Sequence, residues 1–172
     1  MYRTATNILK KFMSTAAIFK YGFNLSPMYR RTTAKVIEIS DDLKKVKIKV
    51  PLSYKNKNYV GAIFGGSMFA ATDPIYMIQL MQILGDEYVV WDKSATIHYK
   101  RPAKEHVFCD FEFTSEEIET IKERVKNEHE ITIEKVTYLK NTKNAIFAEV
   151  IKILYIAEKQ FYKEKLKKRV SS

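Results

Sequence analysis

The chain has 172 residues, and 46% of them are hydrophobic, which is enough for one domain with a substantial core. Lys and Arg outnumber Asp and Glu by 30 to 20, so the net charge of +10 favours anionic partners without choosing among them. Cys109 is the only cysteine, which excludes an internal disulfide and a multi-cysteine metal site. Such cysteine use suits a reducing compartment, and we expect a cytoplasmic protein.

Residues 1–37 include several basic residues but no acidic one, and two interpretations follow. An organellar transit peptide has this composition, which would place the protein in an organelle. We favour an amphipathic helix packed on the domain, because apolar residues recur along one of its faces. The residues of that face are Ile8, Leu9, Phe12, Ala16 and Phe19. Residues 22–27 are then predicted to form a turn.

Alternating apolar and polar residues predict a set of antiparallel strands further along the chain. The predicted strands are residues 33–39, 45–50, 88–99, 106–114, 130–139 and 145–156. Between the fourth and fifth strands, Ser115 is a capping residue for a short surface helix over residues 115–127. The lysine-rich residues 159–169 are typical of a solvated helical extension.

Residues 65–84 are small or apolar on nearly every side, which predicts a helix surrounded by other structure. Asp73 and Pro74 interrupt this apolar stretch, so we do not expect it to span a membrane. The resulting α+β class is an antiparallel sheet wrapped around one long central helix, with an extra N-terminal helix. The hot-dog fold satisfies this arrangement. We expect an extension over residues 1–24, the domain over 25–157 and a basic tail over 158–172.

Two glycines, Gly65 and Gly66, stand just before the predicted central helix. Glycine lets a ligand approach the backbone closely, although most glycine pairs only make turns. The N–H groups at a helix start carry partial positive charge. They can therefore hold the oxygen that becomes negative when a thioester carbonyl is attacked.

Asp73 is the only carboxylate between Asp42 and Asp86, in a segment where a charge is costly unless it is paired or used. One interpretation is a helix cap, because Asp followed by Pro is a common helix start. The other is a catalytic carboxylate, two helical turns from Gly66 if the helix kinks at Pro74. Such a group would act as a general base on water or attack the thioester carbonyl itself.

Four segments carry a resemblance to a known family: NYVGAIFGG (58–66), ATDP (71–74), VWDKSA (90–95) and YKRPA (99–103). The first, with Asp73 seven residues after its last glycine, resembles the signature of the PaaI-like branch of hot-dog acyl-CoA thioesterases. YKRPA belongs to the same resemblance, whereas FGG, ATDP and VWDKSA resemble more closely a thioesterase-like hot-dog family known only as a domain of unknown function. The likeness extends over residues 27–156.

The resemblance implies that Asp73 is the base or nucleophile, that the Gly66 N–H is the oxyanion donor, and that Asn58 positions water or the thioester. Phe64 stands where the PaaI-like signature has a histidine, so the polarising role of that side chain is absent. The implied substrate contacts are Phe64, Gly65, Ser67, Tyr76, Lys93, Ser94, Lys100 and Arg101. The basic members of this set, with Lys104, suit the phosphates of coenzyme A.

The implied assembly is a homodimer or a dimer of dimers, with sheets joined edge to edge and an active site at the subunit interface. Coenzyme A would be part of the substrate, and no separate cofactor and no metal are expected. The three histidines lie in or next to separate predicted strands, without the spacing of a metal motif. Cys109 and Trp91 are expected to be core residues.

Our first hypothesis is an acyl-CoA thioesterase that cleaves a fatty or aryl acyl thioester. The second is a non-catalytic acyl-CoA or acyl-ligand binding protein of the same fold, which Phe64 favours. The third is a basic module that binds nucleic acid or a membrane surface. It is the weakest, because no nucleic-acid-binding motif is visible and we expect no specific nucleic-acid partner.

Overall fold

The computed structural model of the chain describes residues 13–170. The strands are β1 (Lys35–Ile39), β2 (Lys45–Val50), β3 (Tyr88–Tyr99), β4 (Val107–Glu112), β5 (Glu130–Lys140) and β6 (Ile146–Glu158). They form one antiparallel sheet in the order β1-β2-β4-β5-β6-β3, so β1 and β3 lie at its edges. The predicted strands are all present, and the alternation in sequence corresponds to the buried and outer faces of this sheet.

The helices are α1 (Thr15–Leu25), α2 (Pro27–Arg31), α3 (Gly65–Thr72), α4 (Ile75–Leu84), α5 (Ser115–Glu128) and α6 (Lys159–Val170). Together α3 and α4 make the predicted central helix, broken at Asp73 and Pro74 because proline lacks a backbone N–H and disturbs the preceding turn. The side chains that face the sheet from this helix are buried: Met68, Ala71, Ile75, Tyr76 and Leu80. The hot-dog arrangement predicted from the sequence is confirmed.

Helix α1 packs its apolar face on the domain, with Ala16, Phe19 and Phe23 buried. The other residues of the predicted face, Ile8, Leu9 and Phe12, lie outside the described residues. Asn24 donates from Nδ2 to the Val36 oxygen at 2.9 Å and accepts from the Val36 N–H at 2.8 Å, which covers part of the β1 edge.

The predicted turn over residues 22–27 is wrong, because α1 continues through Gly22 to Leu25. Burial of Phe23 and the two hydrogen bonds of Asn24 outweigh the poor helix propensity of glycine. Only Ser26 separates α1 from α2.

Two further predictions are corrected in the second half of the chain. The N-cap of α5 is Thr114 rather than Ser115, since Thr114 and Glu117 exchange side-chain and backbone hydrogen bonds in a capping box. Cys109 is buried as expected, but Trp91 is half exposed because it points to the outer face of edge strand β3. No helix within residues 13–170 is long and apolar enough to cross a membrane.

Candidate active site

A groove runs along the first half of the central helix, on the side turned away from the sheet. It is a cavity of about 610 Å³ whose lining includes Met28, Phe64, Gly66, Ser67, Phe69, Asp73 and Pro74. We call it the Asp73 groove. Four predicted site residues thus come together here: Phe64, Gly66, Ser67 and Asp73.

Asp73 lies at the break of the central helix, but it does not cap the start of α4. Its backbone is helical (φ −54°, ψ −56°), and its N–H donates to the Phe69 oxygen at 3.1 Å, so it ends α3. The N-cap position of α4 is Pro74, and no side chain caps it. The capping interpretation of Asp73 is therefore wrong. Its carboxylate is directed to a lysine on the sheet instead.

That lysine is Lys152, on the inner face of β6 with its side chain fully buried. Its Nζ donates to Asp73 Oδ1 at 3.0 Å and to the Asp73 backbone oxygen at 2.9 Å. Asp92 Oδ1 lies 3.1 Å from the same Nζ, as an ion pair without hydrogen-bond alignment. A buried ammonium is costly unless it is paired, and these contacts supply the pairing. We call Asp73, Asp92 and Lys152 the Lys152 cluster.

Asp92 lies on β3, and its side chain is 22% exposed. Burial raises the pKa of Asp92, Lys152 opposes that increase, and the nearby Asp73 carboxylate adds to it. The cluster therefore joins one carboxylate in the groove to another in a drier position through a single cation.

Sequence reasoning missed Lys152 and gave Asp92 no role, although a signal was present. In β6, Lys152 occupies the inward series of an alternating strand whose neighbours in that series, Val150 and Leu154, are apolar. Asp92 follows the buried Val90 in the same way on β3. A charge at an inward strand position requires a partner of opposite charge.

Gly65 and Gly66 form the first turn of α3, and aromatic rings lie against both. A Cβ on Gly65 would lie 2.7 Å from Tyr99 Cζ, and one on Gly66 would overlap Phe64 Cε1. The Gly66 N–H donates no hydrogen bond to any residue in the 13–170 range, as expected at a helix start. The ring of Phe64 therefore covers the backbone beside the predicted oxyanion donor.

Asn58 orders the loop before α3 rather than lining the groove. Its Oδ1 accepts from the N–H groups of Val60 at 3.1 Å and Ala62 at 3.0 Å, and Gly61 adopts φ +79° between them. Glycine reaches that conformation without strain. The asparagine oxygen is thus engaged within the loop that leads to Phe64.

The buried asparagine of this loop is Asn56, which sequence reasoning did not single out. Its Nδ2 donates to Thr33 Oγ1 at 2.7 Å and to the Pro51 oxygen at 2.8 Å. Its backbone oxygen accepts from the Phe64 N–H at 2.7 Å. Asn56 therefore holds Phe64, and with it the start of α3, against the rest of the domain.

Tyr76 faces the sheet and is part of the core rather than the groove. Its ring is buried and packs edge-on against Phe111 and Phe113, with centroids 4.9 Å and 5.4 Å away. A substrate contact by Tyr76 would require this packing to open.

The predicted phosphate contacts lie on or just after β3, away from the lining of the Asp73 groove. Lys93 is exposed at a bulge in β3, just before the exposed Ser94. Lys100 pairs with Glu149 at 3.0 Å, and Arg101 is exposed. Within residues 13–170, no three His, Cys, Asp or Glu side chains come together to hold a metal ion.

The groove and the Lys152 cluster both lie within a region that a known family model matches. The model is described as "Domain of unknown function (DUF4442)", and it matches residues 15–155. The chain belongs to this family. No curated protein sequence matches the chain.

Solved structures share the fold of this DUF4442 protein at low sequence identity. The Pseudomonas aeruginosa protein PA5026, described as a "Probable Thioesterase", is 15% identical with a TM-score of 0.69, over 78% of this chain and 89% of its own. Thioesterase HI1161 from Haemophilus influenzae is 11% identical with a TM-score of 0.59, over 85% of this chain and 92% of its own. These likenesses support the hot-dog fold of the chain.

Proposed function

We propose that this DUF4442 protein hydrolyses acyl thioesters in the Asp73 groove. One observation carries the proposal: a carboxylate stands in a mainly apolar groove with one oxygen held by a buried lysine. The Asp73 side chain is 56% exposed, so solvent or substrate reaches it. Its Oδ2 has no hydrogen bond or ion pair within the described part of the chain and is free to act.

In the proposed reaction, Asp73 takes a proton from water, whose oxygen then bonds to the thioester carbonyl carbon. Direct attack by the carboxylate, followed by hydrolysis of the resulting anhydride, is the alternative. The carbonyl oxygen becomes negative and accepts a hydrogen bond from the Gly66 N–H at the start of α3. The carbon–sulfur bond then breaks, and the thiolate leaves and takes up a proton.

The spacing of these two groups supports a homodimer. Gly66 and Asp73 are seven residues apart on one helix, or roughly 10 Å at 1.5 Å per residue. One carbonyl group cannot contact an oxyanion donor and a base that far apart, because each must lie about 3 Å from the reacting atoms. The proposal therefore pairs Gly66 of one subunit with Asp73 of a second.

The position of β3 also supports that assembly. This strand of 12 residues pairs with β6 on one side only, so its other edge is open within the described chain. An open edge is a template for pairing with another strand. If two copies paired edge to edge through β3, their central helices would lie side by side.

Coenzyme A thioesters are the proposed substrates, with acyl-carrier thioesters as the alternative of the same chemistry. The net charge of +10 attracts either phosphate-bearing carrier. Lys93 and Arg101 are exposed at β3 and its end, which suits phosphate contacts near the proposed subunit interface. Assignment to the PaaI-like branch stays a prediction.

A second candidate function, acyl-ligand binding without hydrolysis, rests on Phe64. Phe64 stands where the PaaI-like signature has a polar histidine; the residue is 59% exposed and its ring lies over Gly66. An apolar ring there would support ligand packing without polarising a carbonyl group.

Steady-state thiol release from acyl-CoAs of graded chain length tests the proposal. Asp73→Asn keeps the size of the side chain and an oxygen for Lys152, but removes the carboxylate. We expect kcat/KM to fall by about 10²–10⁴-fold, the usual contribution of a general base. The matched control is Asp110→Asn on the outer face of β4, which should release thiol at the native rate.

Equal rates of thiol release by the native protein and by folded Asp73→Asn would exclude Asp73 as the base or nucleophile. Absence of turnover in the native protein, together with tight binding of acyl-CoA, would favour the second candidate function instead.

A further inference from the structure

A second cavity of about 470 Å³ lies between helix α1 and the outer side of α4, within the usual size range of a ligand site. Apolar residues dominate its lining, among them Ile18, Phe19, Phe23, Met28 and Ile78. We call it the α1 cavity. A mainly apolar lining of this kind favours binding of a hydrocarbon chain over binding of a charged group.

The α1 cavity and the Asp73 groove are neighbouring spaces. Met28 lines both, so its side chain stands between them. Methionine is unbranched and flexible, which suits a wall that adapts to a ligand. Pro74 lines the groove, while Ile78 and Gln82, one and two helical turns further on, line the cavity.

The groove and the cavity therefore follow each other along the central helix. From Asp73 to Gln82 the helical rise is about 14 Å at 1.5 Å per residue. A carbonyl group near Asp73 would direct its substituent along this face of α4 into the cavity. A long unbranched chain can span this distance, whereas a short or aryl group cannot.

Gly22 supplies an independent observation. It lies inside α1, where glycine destabilises a helix compared with alanine. No turn or positive φ requires it, and a Cβ added there would have nothing within 4 Å. Gly22 also lines the α1 cavity, so the missing side chain leaves that space open.

We infer that the α1 cavity binds the hydrocarbon chain of a long-chain fatty acyl thioester whose carbonyl group lies in the Asp73 groove. The inference rests on the proposed function for the position of the carbonyl group. It narrows the substrate class from acyl thioesters in general to long-chain ones.

Binding of S-alkyl-CoA thioethers tests this inference, because a thioether cannot be hydrolysed. Dissociation constants are measured by titration calorimetry for a series from ethyl to hexadecyl. For the native protein we expect affinity to increase by up to about fourfold per methylene until the cavity is full, as burial of each CH₂ predicts.

Gly22→Met places a long side chain in the cavity, while Gly22→Ala adds only a methyl group in open space. We expect Gly22→Met to weaken hexadecyl-CoA binding by at least about 100-fold, as the loss of several buried methylenes predicts, and to leave ethyl-CoA binding unchanged. Gly22→Ala should match the native protein at every length. Thermal unfolding checks that both variants fold.

A length dependence that is the same in native protein and Gly22→Met, or no thioether binding at all, would overturn the inference. The cavity would then be occupied by something else, such as another segment of this chain or a second copy. Native protein that binds long thioethers in a Gly22-dependent way but releases no thiol would sustain the inference and refute the proposed hydrolysis. Thiol release by a protein whose thioether affinity does not depend on chain length would refute the inference and sustain the proposed hydrolysis.

Discussion

Two lysines lie directly opposite each other on neighbouring strands, Lys135 on β5 and Lys152 on β6. Opposite residues of an antiparallel pair share a face, so both side chains point to the inner side of the sheet. Like charges in such a pair destabilise a sheet unless acidic groups compensate them. The charges of the two lysines are compensated in different ways.

Lys135 turns toward helix α5 and a pair of aromatic rings. Its side chain is 12% exposed, its Nζ lies 2.7 Å from Glu117 Oε1, and it stands 4.7 Å from the Phe113 ring centroid and 5.6 Å from that of Tyr76. These contacts tie a surface helix to the sheet. None of the residues in these contacts lines the Asp73 groove.

Lys152 turns toward the break in the central helix, where its two carboxylate partners lie. One of them, Asp73, is exposed to the groove. The two lysines therefore differ in what their carboxylate partners face: Asp73 faces the groove in which we propose hydrolysis, and Glu117 does not. The interruption at Pro74 supplies that partner, because Asp73 offers both its carboxylate and its backbone oxygen to Lys152 there.

The largest effect expected from this comparison is that of Lys152→Met. Methionine fills similar volume but leaves the Asp73 and Asp92 carboxylates without their shared cation. Loss of one partner of a buried ion pair typically costs about 3–5 kcal/mol of unfolding free energy. Urea unfolding measures this cost. If the unfolding free energy fell no more than it does in Lys135→Met, Lys152 would not be the main ionic contact between the sheet and the central helix.

Lys135→Met should have a smaller effect, about 1–2 kcal/mol, because Lys135 is less completely buried than Lys152, has one carboxylate partner rather than two, and methionine retains contact with the rings. Urea unfolding at low and high salt measures it, and thiol release should be unchanged. Lys122→Met, which removes an exposed ion pair with Glu119 on α5, is the control and should change stability little. Loss of activity in Lys135→Met would break the distinction between the two lysines.

Much of the fold was predictable because alternation and apolar runs are local signals. The strands, the interrupted central helix and four members of the groove follow from residues close together in sequence. The Lys152 cluster does not, because Lys152 lies 79 residues from Asp73 and their contact depends on the order of the strands. Tyr76 was misplaced for a related reason, since a helix apolar on all sides does not reveal which side meets the sheet.

The smallest expected effect concerns Asp92 and the pH dependence of stability. Burial raises the pKa of Asp92 above 3.8, against the attraction of Lys152 and with the repulsion of Asp73. The folded protein therefore binds this proton more tightly than the unfolded chain does. The resulting stabilisation is complete below the unfolded pKa and is lost as the pH rises through the folded pKa.

Asp92→Asn removes this titration, so its stability should improve relative to the native protein as the pH increases from strongly acidic toward neutral. Urea unfolding over that range measures the difference, and Asp41→Asn, in an exposed turn, is the matched control. A relative stability of Asp92→Asn that decreases with rising pH would mean that attraction to Lys152 exceeds the cost of burial. Asp92 would then be a full ionic partner like Asp73, and the cluster would hold two permanent anions around one cation.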